Sequence, residues 1–232
     1  MTYQPFPPGT QPPYLVPSYG STLRRAPQQP PVVIAPAIER GGPVFPPAQF
    51  PTAADLSRVD GRDAMGQRII VGGRVTDETD RPVAGAMIEL WQANAAGRYH
   101  HERDQHDAPL DPNFHGAGRV FTDADGGYRF LSIRPGAYCW RNHHNAWRPA
   151  HIHYSLFGPS WGSRLVTQMY FPGDPLLPID PIFNSVPDER IRDRLIARFE
   201  PDRAIPEWAL AYRFDITLRG RAATPFESEP DD

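Results

Sequence analysis

The sequence lacks the features that mark several classes of protein. It has one cysteine, Cys139, in 232 residues, which excludes an intrachain disulfide and any thiolate-rich zinc or iron–sulfur site within the chain. No apolar run approaches the length of a membrane span. The formal net charge is -3 and no basic block occurs, so an electrostatic footprint for nucleic acid is missing. The first residues lack the charged and apolar regions of a signal peptide. We therefore expect a cytoplasmic protein that binds neither nucleic acid nor membrane.

Proline is concentrated towards the N-terminus, where residues 1–52 hold about half of the 29 prolines. Proline at this density blocks helices and the interiors of sheets, so the segment is expected to be extended. Apolar side chains are interspersed among the prolines, which indicates that the arm lies on a surface, its own domain's and a partner subunit's. We predict an extended proline-rich arm at residues 1–66 and one folded domain at residues 67–232.

The rest of the chain is typical of an all-β protein. Short stretches with strand-like composition are separated by turn signals, and the clearest period-2 alternation lies at residues 210–219. Strands are predicted at 69–76, 83–93, 118–122, 128–133, 137–140, 150–157, 164–171 and 210–219. One short helix is predicted at residues 187–199, because Ile191, Leu195 and Phe199 recur at helical spacing after Pro187. These elements favour an antiparallel β-sandwich.

Residues 69–138 taken alone suit a transthyretin-like or carboxypeptidase-regulatory-like sandwich. The pattern consists of a Gly-x-Val, a Pro-Val-x-Gly-Ala strand, a Thr-Asp-x-Asp-Gly-x-Tyr-x-Phe hairpin and a Pro-Gly-x-Tyr turn. A non-catalytic structural or binding module is therefore one hypothesis. It gives no role to the residues that follow.

Two histidines dominate the next segment, Trp-Arg-Pro-Ala-His-Ile-His-Tyr. Side chains two apart on a strand share a face, so His151 and His153 point one way while Ile152 and Tyr154 point the other. Imidazole is the commonest neutral metal ligand. The pair could form half of a coordination sphere, or it could be two hydrogen-bonded histidines on a half-buried strand.

Three further residues, Tyr99, Tyr138 and Arg148, bear on whether the histidine pair binds a metal. Tyr99 lies in a loop rich in histidine and charge, and Tyr138 follows a Pro-Gly turn; singly, each reads as a structural aromatic. Arg148 precedes the histidine pair and either has a partner anion or stabilises one during a reaction. A phenol must lose its proton to coordinate well. Two phenolates with two imidazoles suit ferric iron better than zinc, copper(I) or calcium.

Four ordered motifs resemble the intradiol ring-cleaving dioxygenases. They are Pro-Val-x5-Glu-Leu-Trp-Gln-Ala-Asn-Ala-x-Gly-Arg-Tyr at 82–99, Leu-Asp-Pro-Asn-Phe at 110–114, Arg-Pro-Gly-x-Tyr-x-Trp at 134–140 and Trp-Arg-Pro-Ala-His-Ile-His at 147–153. The resemblance covers about 68–220 and, more loosely, 19–27. An extended N-terminus in place of a helical linker domain favours the protocatechuate branch over the catechol and hydroxyquinol branches.

The resemblance implies a sandwich of transthyretin-like topology and one Fe(III) per chain. It places the iron ligands at Tyr99, Tyr138, His151 and His153, with Tyr138 leaving the metal when the diol binds. It implies insertion of O₂ into protocatechuate to give 3-carboxy-cis,cis-muconate, with catechol or hydroxyquinol as alternative substrates. By the same resemblance Arg148 stabilises developing charge beside the ring, and the further substrate-binding residues are Tyr19, Trp140, Gln168 and Ile182. An iron-free, homologous α chain is the implied partner in a hetero-oligomer.

Several residues stay outside this assignment. Trp91 could support the ligands or be a core tryptophan. The remaining histidines are interpreted as loop residues: His100, His101, His106, His115, His143 and His144. The pair His143–His144 has no counterpart that we recognise in the family.

Overall fold

The computed structural model describes residues 7–25, 46–104, 106–140, 144–145, 147–157 and 165–226, and the statements below concern these residues. Strands predominate. They are β1 (Arg58–Val59), β2 (Arg62–Asp63), β3 (Arg68–Thr76), β4 (Met87–Trp91), β5 (Ala117–Phe121), β6 (Gly127–Ile133), β7 (Tyr138–Cys139), β8 (Trp147–Arg148), β9 (His151–Phe157), β10 (Leu165–Tyr170), β11 (Arg198–Phe199), β12 (Leu210–Arg213) and β13 (Ile216–Thr217). The α-helices are α1 (Thr22–Arg25) and α2 (Glu189–Arg192), and 3₁₀ turns occur at Leu177–Ile179, Phe183–Ser185, Asp193–Leu195 and Pro201–Arg203.

One sheet carries the histidine pair. Its order is β10–β9–β4–β5 and all its pairings are antiparallel. In this register His153 is opposite Gln168 on β10 and Trp91 on β4, while His151 is opposite Tyr170. Residues directly opposite one another share a face, so the sheet places these five side chains on one surface.

The second sheet is built around β3. Strand β6 pairs antiparallel with it, whereas β12 and β13 pair parallel to it. The predicted strand 210–219 is therefore two strands, interrupted at Phe214 and Asp215. The Phe214 N–H still donates to the Gly72 carbonyl at 2.9 Å, but the Arg74 N–H bonds to the Asp215 carboxylate. A Cβ at Gly73 would lie 1.8 Å from the Phe214 carbonyl oxygen, so only glycine permits this approach.

Both sheets contribute to one hydrophobic core. Ile88 and Ile152 come from the histidine-bearing sheet, and Val71 and Phe130 come from the sheet around β3. All four are at most 1% exposed. Burial of the Ile152 face fixes the register of β9, because a one-residue slip would exchange its two faces. The core thereby determines which way the histidines point.

The predicted helix at 187–199 is wrong in its length. The helix is limited to α2 and a 3₁₀ turn, with the Asp188 side chain capping its start by accepting from the N–H groups of Arg190 and Ile191. After the turn the Ala197 N–H donates to the Tyr170 carbonyl, and β11 pairs with β12. Sheet hydrogen bonds and tertiary packing override helical periodicity in so short a segment.

Residues 7–25 touch the later part of the chain at separate points. The Asp188 N–H donates to the Gly9 carbonyl at 3.1 Å, and the Phe226 N–H donates to the Gln11 side chain at 2.8 Å. Tyr19 is 4% exposed. No helix within the described residues has the length and apolarity to cross a membrane.

Two buried tyrosines make the folding stability of the chain sensitive to alkaline pH. Burial, together with the neighbouring phenol Tyr154, raises the pKa of Tyr128, and burial likewise raises that of Tyr154. An unfolded tyrosine ionises near pH ~10, so above that pH the folded chain holds more protons and stability falls as the pH rises.

Substituting Tyr154→Phe is expected to reduce the loss of folding stability at alkaline pH. Its hydroxyl contacts the Met169 sulfur at 3.6 Å and is hydrogen-bonded to the Tyr128 side chain, so the change should cost about 1 kcal/mol at neutral pH. Above pH ~10 the variant should lose about 1.4 kcal/mol less per pH unit than the wild type. Chemical unfolding across the pH range would measure both curves, and parallel curves would contradict the expectation.

Candidate metal centre

The two histidines occupy the face of β9 that points away from the core. His151 and His153 are each 2% exposed, although they lie opposite to the core-facing Ile152 and Tyr154. Their burial comes from loops that cover this face of the sheet. The alternation predicted from the His-Ile-His-Tyr pattern is the one observed.

The first covering loop follows β4 and carries Tyr99. The Asn94 side-chain oxygen accepts from the N–H groups of Ala96 and Arg98, both at 2.9 Å, which closes the turn. The Tyr99 N–H donates to the Asp104 carboxylate at 2.7 Å. These bonds fix the backbone on both sides of the tyrosine.

The second covering segment carries Tyr138 on β7, which pairs with β8 so that Tyr138 is opposite Arg148. The Gly136 N–H donates to the Asn94 carbonyl at 2.9 Å, which joins this segment to the Tyr99 loop. The two phenol rings meet edge to face, with centroids 5.3 Å apart. One backbone junction therefore sets the position of both tyrosines.

The four polar atoms predicted to bind a metal lie close together. His151 Nε2 is 3.2 Å from His153 Nε2, which is 3.2 Å from the Tyr99 hydroxyl, and Tyr138 Oη is 3.5 Å from His151 Nε2. Atoms that bind one ion at ~2.0–2.2 Å are separated by about 2.9–3.5 Å. The spacing therefore fits donors that surround a common centre.

Both imidazoles present Nε2 to this cluster. The other nitrogen of His151, Nδ1, donates to the Pro149 carbonyl at 2.7 Å, so its Nε2 carries the lone pair. Burial and the charge of Arg148 lower the pKa of His151 well below its usual value, which keeps the ring neutral. Gln168 Nε2 lies 3.3 Å from Nδ1 of His153.

Arg148 is buried beside the cluster, with its Nη1 3.1 Å from His151 Nε2. Its partner anion is Asp180, and its Nη2 also contacts Gln168 and the Tyr170 hydroxyl at 2.6 and 3.0 Å. Burial acts to lower the pKa of Arg148, but Asp180 and Tyr170 raise it well above its ordinary value. Sequence reasoning did not select Asp180 or Tyr170; the only signal was that Tyr170 follows Gln168 by two residues on a strand.

The other expected pocket residues fall into two groups. Trp140 stacks over the Arg148 guanidinium at 5.2 Å and meets the Tyr19 ring at 5.1 Å. Ile182 lines a small cavity together with Gln168 and Tyr170.

Trp91, for which the sequence allowed either a supporting or a core role, stacks on His153 with ring centroids 4.7 Å apart and ring planes within 4°. It supports the histidine ring.

The loop histidines stay outside the cluster where they are described. His100 and His115 lie near each other, at 5.3 Å between ring centroids, and His144 is exposed in a turn. His143 lies outside the described residues. No group of three or more His, Cys, Asp or Glu side chains that could hold an ion is found in the described part of the chain. A metal in the cluster would therefore depend on the phenols.

Comparison with known proteins identifies the family. A model described as "Dioxygenase" matches residues 40–220, and a model described as "Protocatechuate 3,4-dioxygenase beta subunit N terminal" matches residues 3–37. The protocatechuate 3,4-dioxygenase β chain of Burkholderia cepacia is 55% identical over 222 residues, covering 94% of each chain. The chain belongs to the intradiol ring-cleaving dioxygenases.

More distant members of the family share part of their length with this chain. The protocatechuate 3,4-dioxygenase α chain of Pseudomonas putida is 31% identical, covering 71% of this chain and 77% of that one. The solved catechol 1,2-dioxygenase of Pseudomonas arvilla C-1 is 28% identical with a TM-score of 0.53, covering 77% of this chain. The match spans 58% of that enzyme, so the two share the fold over only part of the larger protein.

Proposed function

We propose that this protein is the iron-bearing chain of a protocatechuate 3,4-dioxygenase. It inserts O₂ between the hydroxyl-bearing carbons of protocatechuate and releases 3-carboxy-cis,cis-muconate. The observation that carries the proposal is the cluster of two phenols and two imidazoles at 3.2–3.5 Å spacing. The B. cepacia relative, matched over nearly its whole length, supports the choice of substrate.

One ferric ion per chain is the cofactor that suits these donors. Members of the intradiol family use iron. Tyr99, Tyr138, His151 and His153 would hold it, since phenolate oxygen with imidazole is a hard, anionic donor set that matches a trivalent ion better than zinc. His151 is already neutral, so its Nε2 can bind without losing a proton. The sheet and the two covering loops position these donors.

The protein side chains supply positioning and proton transfer. When bound, ferric iron acts as a Lewis acid that favours phenolate over phenol and activates a dihydroxylated ring towards O₂. Tyr138 Oη lies at the edge of the cluster, in contact with His151 but on a different segment from Tyr99. As a phenolate, Tyr138 would accept a proton from a substrate hydroxyl. Tyr99 is held by the Asn94 turn and by Asp104.

Arg148 is the charged group that faces the reacting ring. A buried guanidinium near developing negative charge stabilises it strongly, because water is excluded. Substrate binding is assigned to Arg148, Trp140, Gln168, Ile182 and Tyr19. Support comes from the contacts of Trp140 with both Arg148 and the arm residue Tyr19.

The architecture we assign is a β-sandwich of transthyretin-like topology at residues 67–232 with the arm at residues 1–66. A core shared by two sheets supports this assignment. The chain pairs with a homologous iron-free α chain in a hetero-oligomer, in keeping with its similarity to both chain types of protocatechuate 3,4-dioxygenase. Exposed apolar side chains on the arm, Tyr14, Leu15 and Leu23, are suited to such a contact.

A spectrum and a metal analysis test this function. The full-length protein, purified in the assembly it forms, should contain close to one iron per chain and absorb visible light through tyrosinate-to-iron charge transfer. Protocatechuate added without oxygen should shift this band, and oxygen should then yield the ring-cleaved acid. A colourless protein with stoichiometric zinc would overturn the proposal, and faster turnover of catechol would reassign the substrate.

A further inference from the structure

Asp180 is a fully buried carboxylate to which the proposed reaction assigns no role. It lies between the 3₁₀ turns Leu177–Ile179 and Phe183–Ser185 and is 0% exposed. A buried charge is costly unless it is paired and hydrogen-bonded. Its oxygens accept from Arg148, from the Tyr170 hydroxyl at 2.9 Å and from the Phe183 N–H at 3.0 Å, which supplies both kinds of compensation.

The contact with Arg148 is bidentate. Nε donates to Oδ1 at 3.0 Å and Nη2 donates to Oδ2 at 3.1 Å, and this fork geometry fixes the plane of a guanidinium as well as its position. The group left outside the fork, Nη1, lies 3.1 Å from His151 Nε2. The carboxylate thus aims the remaining edge of the arginine at the donor cluster.

Asp180 also connects Arg148 to the segment that carries Ile182. Its main-chain carbonyl accepts from the Asn184 N–H at 3.0 Å and from the Asn184 side chain at 2.8 Å. Its carboxylate binds the Phe183 N–H, directly after Ile182. One residue therefore holds both the catalytic cation and a wall of the proposed pocket.

We infer that Asp180 is a positioning residue for ring cleavage, which acts by holding the Arg148 guanidinium at the angle needed beside the metal cluster. The inference rests on the proposed function. Asn at this position can keep one acceptor oxygen, but its NH₂ group would face an N–H of Arg148. The fork would open and the guanidinium would move, while all four metal donors would be retained.

The Asp180→Asn enzyme should therefore lose turnover selectively. We expect kcat for protocatechuate to fall about 10- to 100-fold, as for a displacement of about 1 Å in a catalytic group, which is a larger change than that in KM. Iron content and the charge-transfer band should match the wild type. An unchanged kcat, or a loss of activity that only follows a loss of iron, would overturn the inference. Absence of protocatechuate turnover in the wild-type protein would instead count against the proposed function.

A second variant and a matched control keep the test decisive if Asp180→Asn folds poorly. Tyr170→Phe removes a hydroxyl that bonds to Asp180, Gln168 and Arg148 and should lower kcat in the same sense but less. In an Arg148→Ala background neither change should slow the reaction further, whereas multiplicative losses would contradict action through Arg148.

Asp111→Asn is the control. This carboxylate is 4% exposed, like Asp180 it is buried, and it accepts from the N–H groups of Met65 and Asn113. An equal fall in kcat in Asp111→Asn would overturn the inference.

Discussion

Replacing His153 with alanine is expected to remove most of the iron and to lower turnover by more than about 100-fold. Loss of a residue that only supports a metal ligand costs up to about 100-fold, and loss of a ligand itself should cost more. His153 Nε2 is central to the cluster, 3.2 Å from both His151 Nε2 and the Tyr99 hydroxyl. Its ring is also stacked beneath Trp91. Removing it therefore breaks the link between the strand donor His151 and the loop donor Tyr99.

Iron per chain, the visible spectrum and turnover of protocatechuate should fall together in this variant. His153→Gln keeps a polar side chain in the same space and separates loss of the ligand from loss of packing. His101→Ala is the control, because this exposed loop histidine is outside the cluster, and it should change activity by no more than about twofold. Full iron content in His153→Ala would show that the metal site is assigned wrongly.

Local pattern was sufficient to predict the strand part of this site. The alternation of His151, Ile152, His153 and Tyr154 follows from the geometry of a strand, and burial of two of these residues fixes which face is which. The sequence could not show the neighbours across the sheet. That Trp91 stacks on His153 depends on β4 pairing with β9 in one register, and the pairing is set by the whole core.

The parts of the site and fold that escaped prediction depend on contacts distant in sequence. Asp180 meets Arg148 across 32 positions, and nothing in the Leu-Pro-Ile-Asp-Pro segment marks it as a buried partner. The helix at 187–199 failed for a related reason, because pairing of residues 197–199 with strands from elsewhere outweighed a correct local periodicity. The split of 210–219 likewise follows from the close approach of Phe214 to Gly73.

Substituting Gly97→Ala is expected to damage both tyrosine ligands at once. Gly97 has φ +80°, and an added Cβ would lie 2.1 Å from the Ala137 carbonyl oxygen and 3.2 Å from the Tyr138 Cβ. The left-handed conformation costs alanine about 1–2 kcal/mol, and overpacking adds about 1–3 kcal/mol. To relieve the clash the Tyr99 loop must separate from the Tyr138 segment, so the iron-loaded enzyme should lose about 100-fold in turnover.

Gly85→Ala separates the two causes, because Gly85 has φ +69° but nothing within 4 Å of an added Cβ. It should carry the conformational cost in unfolding experiments while keeping turnover and the charge-transfer band unchanged. Equal losses of activity in the two variants would mean that backbone strain alone, rather than the fit between the two loops, limits the enzyme. A selective loss in Gly97→Ala would show that the junction around Asn94 sets the separation of the two phenols, since Gly97 and Gly136 both donate to the Asn94 carbonyl.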